Sequence, residues 1–354
     1  MARIWSRDAL LEDRRKGTHQ SNVSYKLNGV QNEVEKKIVN GEMETVELAV
    51  PIGEMMSSDT ARKELMRKVV LDVEMGREQV PILYRAIYDM IKDSNFPRDF
   101  KAKWAQRGAV VFNEHFEGAE VKFGTLSAEE GPVVSIKGYT AGFEYTKEMQ
   151  EFNETFNFEL LNKAFGEAHH AILNHLHLSP IFKFGYKAVN KTAAKYVDPA
   201  GKKIEGQSGS HYLLSLRESI RQGLNDARGK KRPPTILLAN PVHQEDIRDA
   251  IGSFAVGGGT YRPLEGIRDL VFYEGWEGQV GKKVTLYEGV PEDKIYLIRP
   301  KKGFKEIIKQ DLEINSSMGD ITRLVESQVV GDFWRAVFAA VEENVQEVTL
   351  PAQS

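Results

Sequence analysis

Four of the eight histidines, His169, His170, His175 and His177, fall within nine residues of one another. A histidine cluster on a helix is one route to a zinc site, in which two imidazoles one turn apart and a third ligand hold the metal and the metal activates a water for hydrolysis. The spacing here does not supply that pair. One turn on from His169 stands Leu173, and one turn on from His170 stands Asn174. His170 and His177 share a helical face but lie two turns apart. The H-E-x-x-H pattern is also missing. These histidines are expected to be packed or partly exposed side chains that bind no metal, and a metal-dependent hydrolase is the remote alternative.

Other routes to chemistry are weaker still. Gly257-Gly258-Gly259 is the one dense glycine cluster, but it lacks the G-x-G-x-x-G spacing and no strand pattern leads directly into it, so it reads as a surface loop. There is no P-loop and no G-x-S-x-G elbow. With no cysteine, thiol nucleophiles, disulfides and cysteine-based zinc sites drop out. The 51 carboxylates include no pair singled out by its surroundings. No residue is therefore assigned a catalytic, cofactor-binding or metal role, no cofactor is expected, and an enzyme is not expected.

The chain has 354 residues, 41% of them hydrophobic, with 17 Phe, 12 Tyr and 4 Trp, which is enough apolar material for more than one core. No apolar run reaches the roughly 18 residues of a membrane-spanning helix. Residues 1–20 carry dispersed charge and no apolar core of a secretory signal, so the chain is expected to stay in the cytosol where it is made. Net charge is only −3, yet Lys183 to Arg232 holds twelve Lys or Arg against four Asp or Glu. That stretch reads first as a solvated face and second as a surface for nucleic acid or an acidic partner.

The pattern along the chain sorts into elements. Residues 1–58 mix charge with Ser, Asn, Gln and Gly and read as an extended arm. From 59 the spacing of Leu65, Val69 and Val73 predicts a helix, and Leu83, Ile87 and Ile91 predict a second, ending at Asn95-Phe96-Pro97. Alternation at Val110, Phe112, Val121 and Phe123, broken by Gly118 and Gly124, predicts a long two-stranded excursion over 104–137 and then a further strand. Such a ribbon gives Val110, Phe112, Phe116, Val121 and Phe123 little cover, so their partners are expected on another subunit. The longest helical signal runs from Gln150 to Leu178 and is expected to close at Ser179-Pro180. A helix through Leu213, Leu216, Ile220 and Leu224 follows, then a buried strand at 235–239. Asn240-Pro241 supplies an N-cap and an N1 proline for a helix to Ile251. Strands are expected near 267–273, 283–287, 294–298 and 321–335, with a last alternation at Val345, Val348 and Leu350.

In this order the parts resemble the major capsid proteins of tailed bacteriophages, the family with the Hong Kong 97 fold. Two segments carry the likeness most closely. TILLANPVHQEDIRDAIG (235–252) is similar to the family's A-domain strand ending in an Asn-Pro helix start. RLVESQVVGDFWRAVFAAVEENVQEVTLP (323–351) is similar to the closing segment, in which a P-domain strand returns and the chain finishes in the A-domain. The resemblance implies an α+β fold of the Hong Kong 97 type with these parts: an N-terminal arm (1–58), a helical segment (59–103), an extended E-loop hairpin (104–137), a P-domain with a long spine helix (138–185), an A-domain (186–310), a P-domain return strand (311–336) and a C-terminal A-domain segment (337–354). The helical pair near 59–95 departs from the minimal fold. No long coiled coil precedes the arm, from which a separate scaffold is expected.

The function so implied is that of a structural subunit. Copies would self-assemble as pentamers and hexamers into an icosahedral shell enclosing double-stranded viral DNA, touched by non-specific contact. Itself, scaffolding, portal and decoration proteins would be its partners, with no membrane involved, and it would reside in the virion capsid after assembly in the host cytoplasm. An encapsulin-like nanocompartment shell protein is the alternative, sharing the fold but holding cargo enzymes.

Overall fold

The fold is taken from a computed structural model, which describes residues 22–27, 30–35, 38–39, 42–43, 69–70, 72–101, 133–146, 155–256, 259–280, 283–318 and 325–352. The chain forms two compact units. One comprises Met1–Pro81, Tyr139–His170 and Leu312–Asp332, the other Ile82–Gly138, Ala171–Asp311 and Phe333–Ser354. Val110, Phe112, Phe116, Val121 and Phe123 of the expected E-loop lie outside the described residues, as do most of the expected arm and its neighbour Leu65.

In the first unit, strands β1 (Asn22–Leu27) and β2 (Val30–Glu35) form an antiparallel hairpin from Asn22↔Glu35 to Leu27↔Val30. An Asn-Gly pair at 28–29 lies between two runs with apolar residues at alternate positions, a hairpin signal in the sequence that the reading of an extended arm passes over. β3 (Ile38–Val39) and β4 (Glu42–Met43) pair in the same antiparallel sense. Helix α1 (72–79) packs on the N-terminal part of the long helix α2 (Thr155–Phe182). Glycine makes this crossing possible. A Cβ on Gly76 would stand 1.9 Å from the Lys163 carbonyl oxygen, and one on Gly166 would stand 2.0 Å from that of Val73.

The second unit is built on a five-stranded sheet in the order β15-β12-β18-β21-β9, made of β9 (Lys191–Thr192), β12 (Ile236–Ala239), β15 (Asp269–Phe272), β18 (Lys294–Ile298) and β21 (Val345–Thr349). β12 is parallel to β15 and antiparallel to β18. Every residue of β12 is buried, as a central strand reading Ile-Leu-Leu-Ala requires. Helix α3 (Tyr212–Gly229) lays Leu216, Ile220 and Leu224 on this sheet at four-residue steps. Helix α4 (Gln244–Ile251) adds Ile247 and Ala250 against Leu237, Ile295, Leu297 and Val348. The Asn240 side chain accepts a hydrogen bond from the Val242 amide at 3.0 Å, so the expected cap is present, with a 3-10 turn Pro241–His243 ahead of the helix.

A second sheet has the order β5-β19-β20-β8: β5 (Asp89–Lys92), β8 (Lys137–Thr146), and the fifteen-residue strands β19 (Phe304–Met318) and β20 (Val325–Ala339). β6 (Asp99–Lys101) and β7 (Val133–Ser135) pair antiparallel at the base of the expected excursion. Three further ribbons complete the set: β10 (Tyr196–Val197) with β11 (Lys203–Ile204), β13 (Phe254–Val256) with β14 (Gly259–Tyr261), and β16 (Gly275–Val280) with β17 (Lys283–Glu288).

Two expectations need correction. The helix expected over Leu83, Ile87 and Ile91 is a 3-10 turn Tyr84–Ala86 followed by strand β5, which pairs parallel with β19 from Asp89↔Lys305 to Lys92↔Ile308. A free sheet edge outweighs a short helical period, because backbone pairing at the edge satisfies groups that a marginal helix leaves exposed. The long helix does not close at Ser179-Pro180 but carries Pro180 within it to Phe182, and the Lys183 amide still reaches the Ser179 carbonyl at 3.0 Å. Strand β19, which is not among the expected strands, begins in the segment expected as A-domain (186–310) and continues into the one expected as the P-domain return strand (311–336).

Candidate functional site

The four histidines take four separate environments. In the first unit, His170 accepts a hydrogen bond at Nε2 from Arg77 Nε at 3.1 Å, while its Nδ1 lies 2.8 Å from the Val80 carbonyl. A donor on one nitrogen and an acceptor at the other define the neutral Nδ1–H tautomer. Burial pushes this imidazole below its usual range; the Arg77 charge adds to that, against the opposing pull of the Val80 carbonyl and Glu74. His169, also buried, has its ring centroid 5.7 Å from that of His170. In the second unit, His175 stacks on Tyr287 at 4.8 Å and is lowered by burial and by Lys183. His177 is fully buried and bonds through Nδ1 to the Leu173 carbonyl at 2.7 Å. Among the described residues no group of three His, Cys, Asp or Glu is placed to hold a metal ion.

His177 belongs to a different construction, a buried cluster around Glu306. One carboxylate oxygen, Oε1, receives Arg335 Nη1 at 2.5 Å and the Tyr84 hydroxyl at 3.2 Å, and lies 3.3 Å from His177 Nε2. The Tyr84 and His177 rings stack at 3.5 Å with 7° between planes, and Tyr88 donates to the His177 carbonyl at 2.6 Å. The second guanidinium arm of Arg335 reaches Asp311 at 2.7 Å. Glu306 is 3% exposed and Arg335 5%. Burial by itself raises the Glu306 carboxyl, but its His177 and Arg335 partners outweigh burial and hold it below the ordinary carboxylate range. Burial first and Glu306 next push the Tyr84 hydroxyl well above its usual value. The arrangement is that of a buried structural ion pair, in which Arg335 Nε has no hydrogen-bond partner among the described residues. Its acid and base are closed off from any substrate-sized space, and it joins α2, β19, β20 and the 84–88 turn of this unit. Sequence analysis missed it; Glu306 and Arg335 are 29 residues apart, and nothing in that spacing marks them.

Part of the basic stretch 183–232 is ion-paired in space. Lys183 pairs with Glu288 at 2.9 Å, Lys187 with Glu342 at 2.5 Å and Lys191 with Glu347 at 3.7 Å, all acids from outside the stretch. Lys203 and Arg221 share Glu218, at 2.8 and 2.7 Å. Arg217 donates to the Ala250 carbonyl at 2.7 Å and to that of Arg262, and lies 5.5 Å from the ring centroid of Phe254. It thereby braces the β13–β14 ribbon, whose Gly257 and Gly258 lie outside the described residues. A shallow cleft opens beside Asn190, Lys230, Arg232 and Gln346, with room for little more than a water molecule. The Lys230 ammonium there is already bonded to Gln346 at 2.9 Å and to the Val189 carbonyl.

One surface in the second unit stands out by composition. On β17, Val284 and Leu286 are 52% and 63% exposed, while Tyr287 on the opposite face stacks with Trp276 at 5.6 Å.

No protein-family model matches the chain, and no curated protein matches it by sequence. By structure the chain is similar to a virus-like particle from Pyrococcus furiosus, at 11% identity and TM-score 0.47 over 79% of this chain and 97% of that chain. It is similar to the mature capsid of bacteriophage PhiM1, at 11% identity and TM-score 0.49 over 77% and 88%. It is also similar to the SrpI encapsulin of Synechococcus elongatus, at 8% identity and TM-score 0.44 over 76% and 88%. The fold is α+β, and its parts follow the order expected of the Hong Kong 97 type: a strand (β8), one long helix, an α/β layer, two long strands and a closing strand.

Proposed function

We propose that this chain is a shell-forming structural subunit, a major capsid protein that associates with copies of itself as pentamers and hexamers and encloses double-stranded DNA. The observation that carries the reading is the path of the C-terminal third. After the α/β layer the chain leaves for β19 and β20 and returns as β21, which pairs with β18 from Lys294↔Thr349 to Ile298↔Val345 and with β9 on its other side. That return of a long strand pair into an A-domain sheet is what the resemblance calls for. It supports reading 186–310 and 337–354 as the A-domain, and 138–185 and 311–336 as the P-domain. The surroundings of the histidines and of Glu306 favour packing roles, so no residue is given a catalytic one. In the same reading the assembled chain resides in a virion capsid, with scaffolding, portal and decoration proteins as further partners.

Electron microscopy and sedimentation of the purified chain, alone and with the products of neighbouring genes, test the proposal. Closed particles of tens of nanometres holding nucleic acid are the expected result, on the order of what many copies of a domain this size enclose. A monomer under every condition sinks it. Particles filled with a protein cargo instead would assign the chain to the encapsulin-like alternative.

A further inference from the structure

We propose that His170 is an acid-released latch that holds helix α1 on the long helix α2. The two helices meet backbone to backbone through Gly76 and Gly166, where a methyl group on either would strike a carbonyl oxygen. Val69 and Val73 are fully buried in this contact region. Asn162 donates to Asp72 at 3.1 Å within it. So close a crossing leaves little slack, and the groups that bridge it decide whether it holds.

His170 bridges it twice, to Arg77 and to the Val80 carbonyl just past the end of α1. The bridge needs a neutral ring. Arg77 can donate only while Nε2 keeps its lone pair, and a proton there would set an imidazolium 3.1 Å from a guanidinium nitrogen. The charged groups acting on the ring are Arg77 and Glu74, both on α1, the latter ion-paired to Arg77 at 2.6 Å; His169 is the titratable neighbour on its own helix. The sign follows from linkage. An imidazole held lower in the docked state than in the released one favours docking above its ordinary value, near 6.5, and that contribution is lost as pH falls through the docked value. Acid therefore weakens the hold of α2 on α1 by removing the His170 bridge, not by acting on the apolar contacts.

Hydrogen–deuterium exchange of the full chain, corrected for intrinsic rates and taken in steps from about pH 7.5 to about pH 5, reads this directly. Peptides covering 72–80 are expected to lose protection as pH falls, while those covering α3 keep theirs. In His170→Gln the protection of 72–80 becomes level with pH. In Arg77→Gln the loss becomes smaller, since without the repelling cation a proton on the docked ring costs less. Protection of 72–80 that is flat in the natural chain overturns the proposal, as does an unchanged loss in His170→Gln. If that variant does not fold, the natural chain and Arg77→Gln decide: a loss of the same size in both removes His170 as its cause.

Discussion

Two parts of the second unit bury their interiors by opposite means. Beneath α3 and α4 the interior is hydrocarbon, with Leu216, Ile220, Leu237, Ile295, Leu297 and Val348 in contact and Gly223 letting the helix come close to the sheet. Between α2, β19 and β20 it is an ion pair, Glu306 with Arg335, roofed by stacked Tyr84 and His177. The first needs only shape. The second needs its charges paired, because a charge left alone in low dielectric costs several kcal/mol while the intact pair contributes little net stability. The lesson is one of tolerance. A hydrocarbon layer degrades by degrees under substitution, whereas a buried pair fails when either member goes, and so it fixes the register of the strands that carry it more strictly.

The sharpest way to break the comparison is Arg335→Met. It should cost about 3–5 kcal/mol by leaving Glu306 buried and unpaired, with Glu306→Leu added to it recovering most of the loss. Denaturant unfolding of the dissociated chain measures both, and additive losses in the double variant would remove the pair from the account. In the apolar layer, Gly223→Ala should cost about 1–3 kcal/mol by overpacking. Its new methyl would meet the Val348 and Leu297 side-chain ends at 2.4 and 2.9 Å, which are atoms able to shift. A third distinction is pH. Because Glu306 is held below the usual carboxylate range, its contribution is full above the unfolded value, about 4.3, and is lost as pH falls through the folded value. Acid unfolding should therefore flatten in the double variant and keep its slope in Gly223→Ala. The smallest effect belongs outside both interiors. Arg221→Ala removes a half-exposed pair with Glu218 and should change stability by about 1 kcal/mol or less, checked by the same unfolding curves.

Much of this was readable beforehand, and the readable parts share a cause. α3, β12, the Asn240 cap and α4 are announced by features spanning a few residues: a four-residue apolar step, a run of buried-strand residues, and an Asn-Pro pair. The misread parts depend on distant chain. Leu83, Ile87 and Ile91 keep a helical period, yet β19, more than two hundred residues on, offers Asp89–Lys92 an edge to pair with. Nor does the excess of Lys and Arg at 183–232 reveal that Glu288, Glu342 and Glu347 come beside three of its lysines.

The amino-acid sequence by itself determined the local periods, the caps, the lack of thiol chemistry and the order of the elements, since each depends on neighbours within a turn or two of chain. Tertiary structure alone decided which charge meets which. His170 faces Arg77 across 93 residues, and Tyr84 faces Glu306 across 222. Electrostatic and hydrogen-bond energies are set by distance in space and by exclusion of water, neither of which is written in sequence spacing.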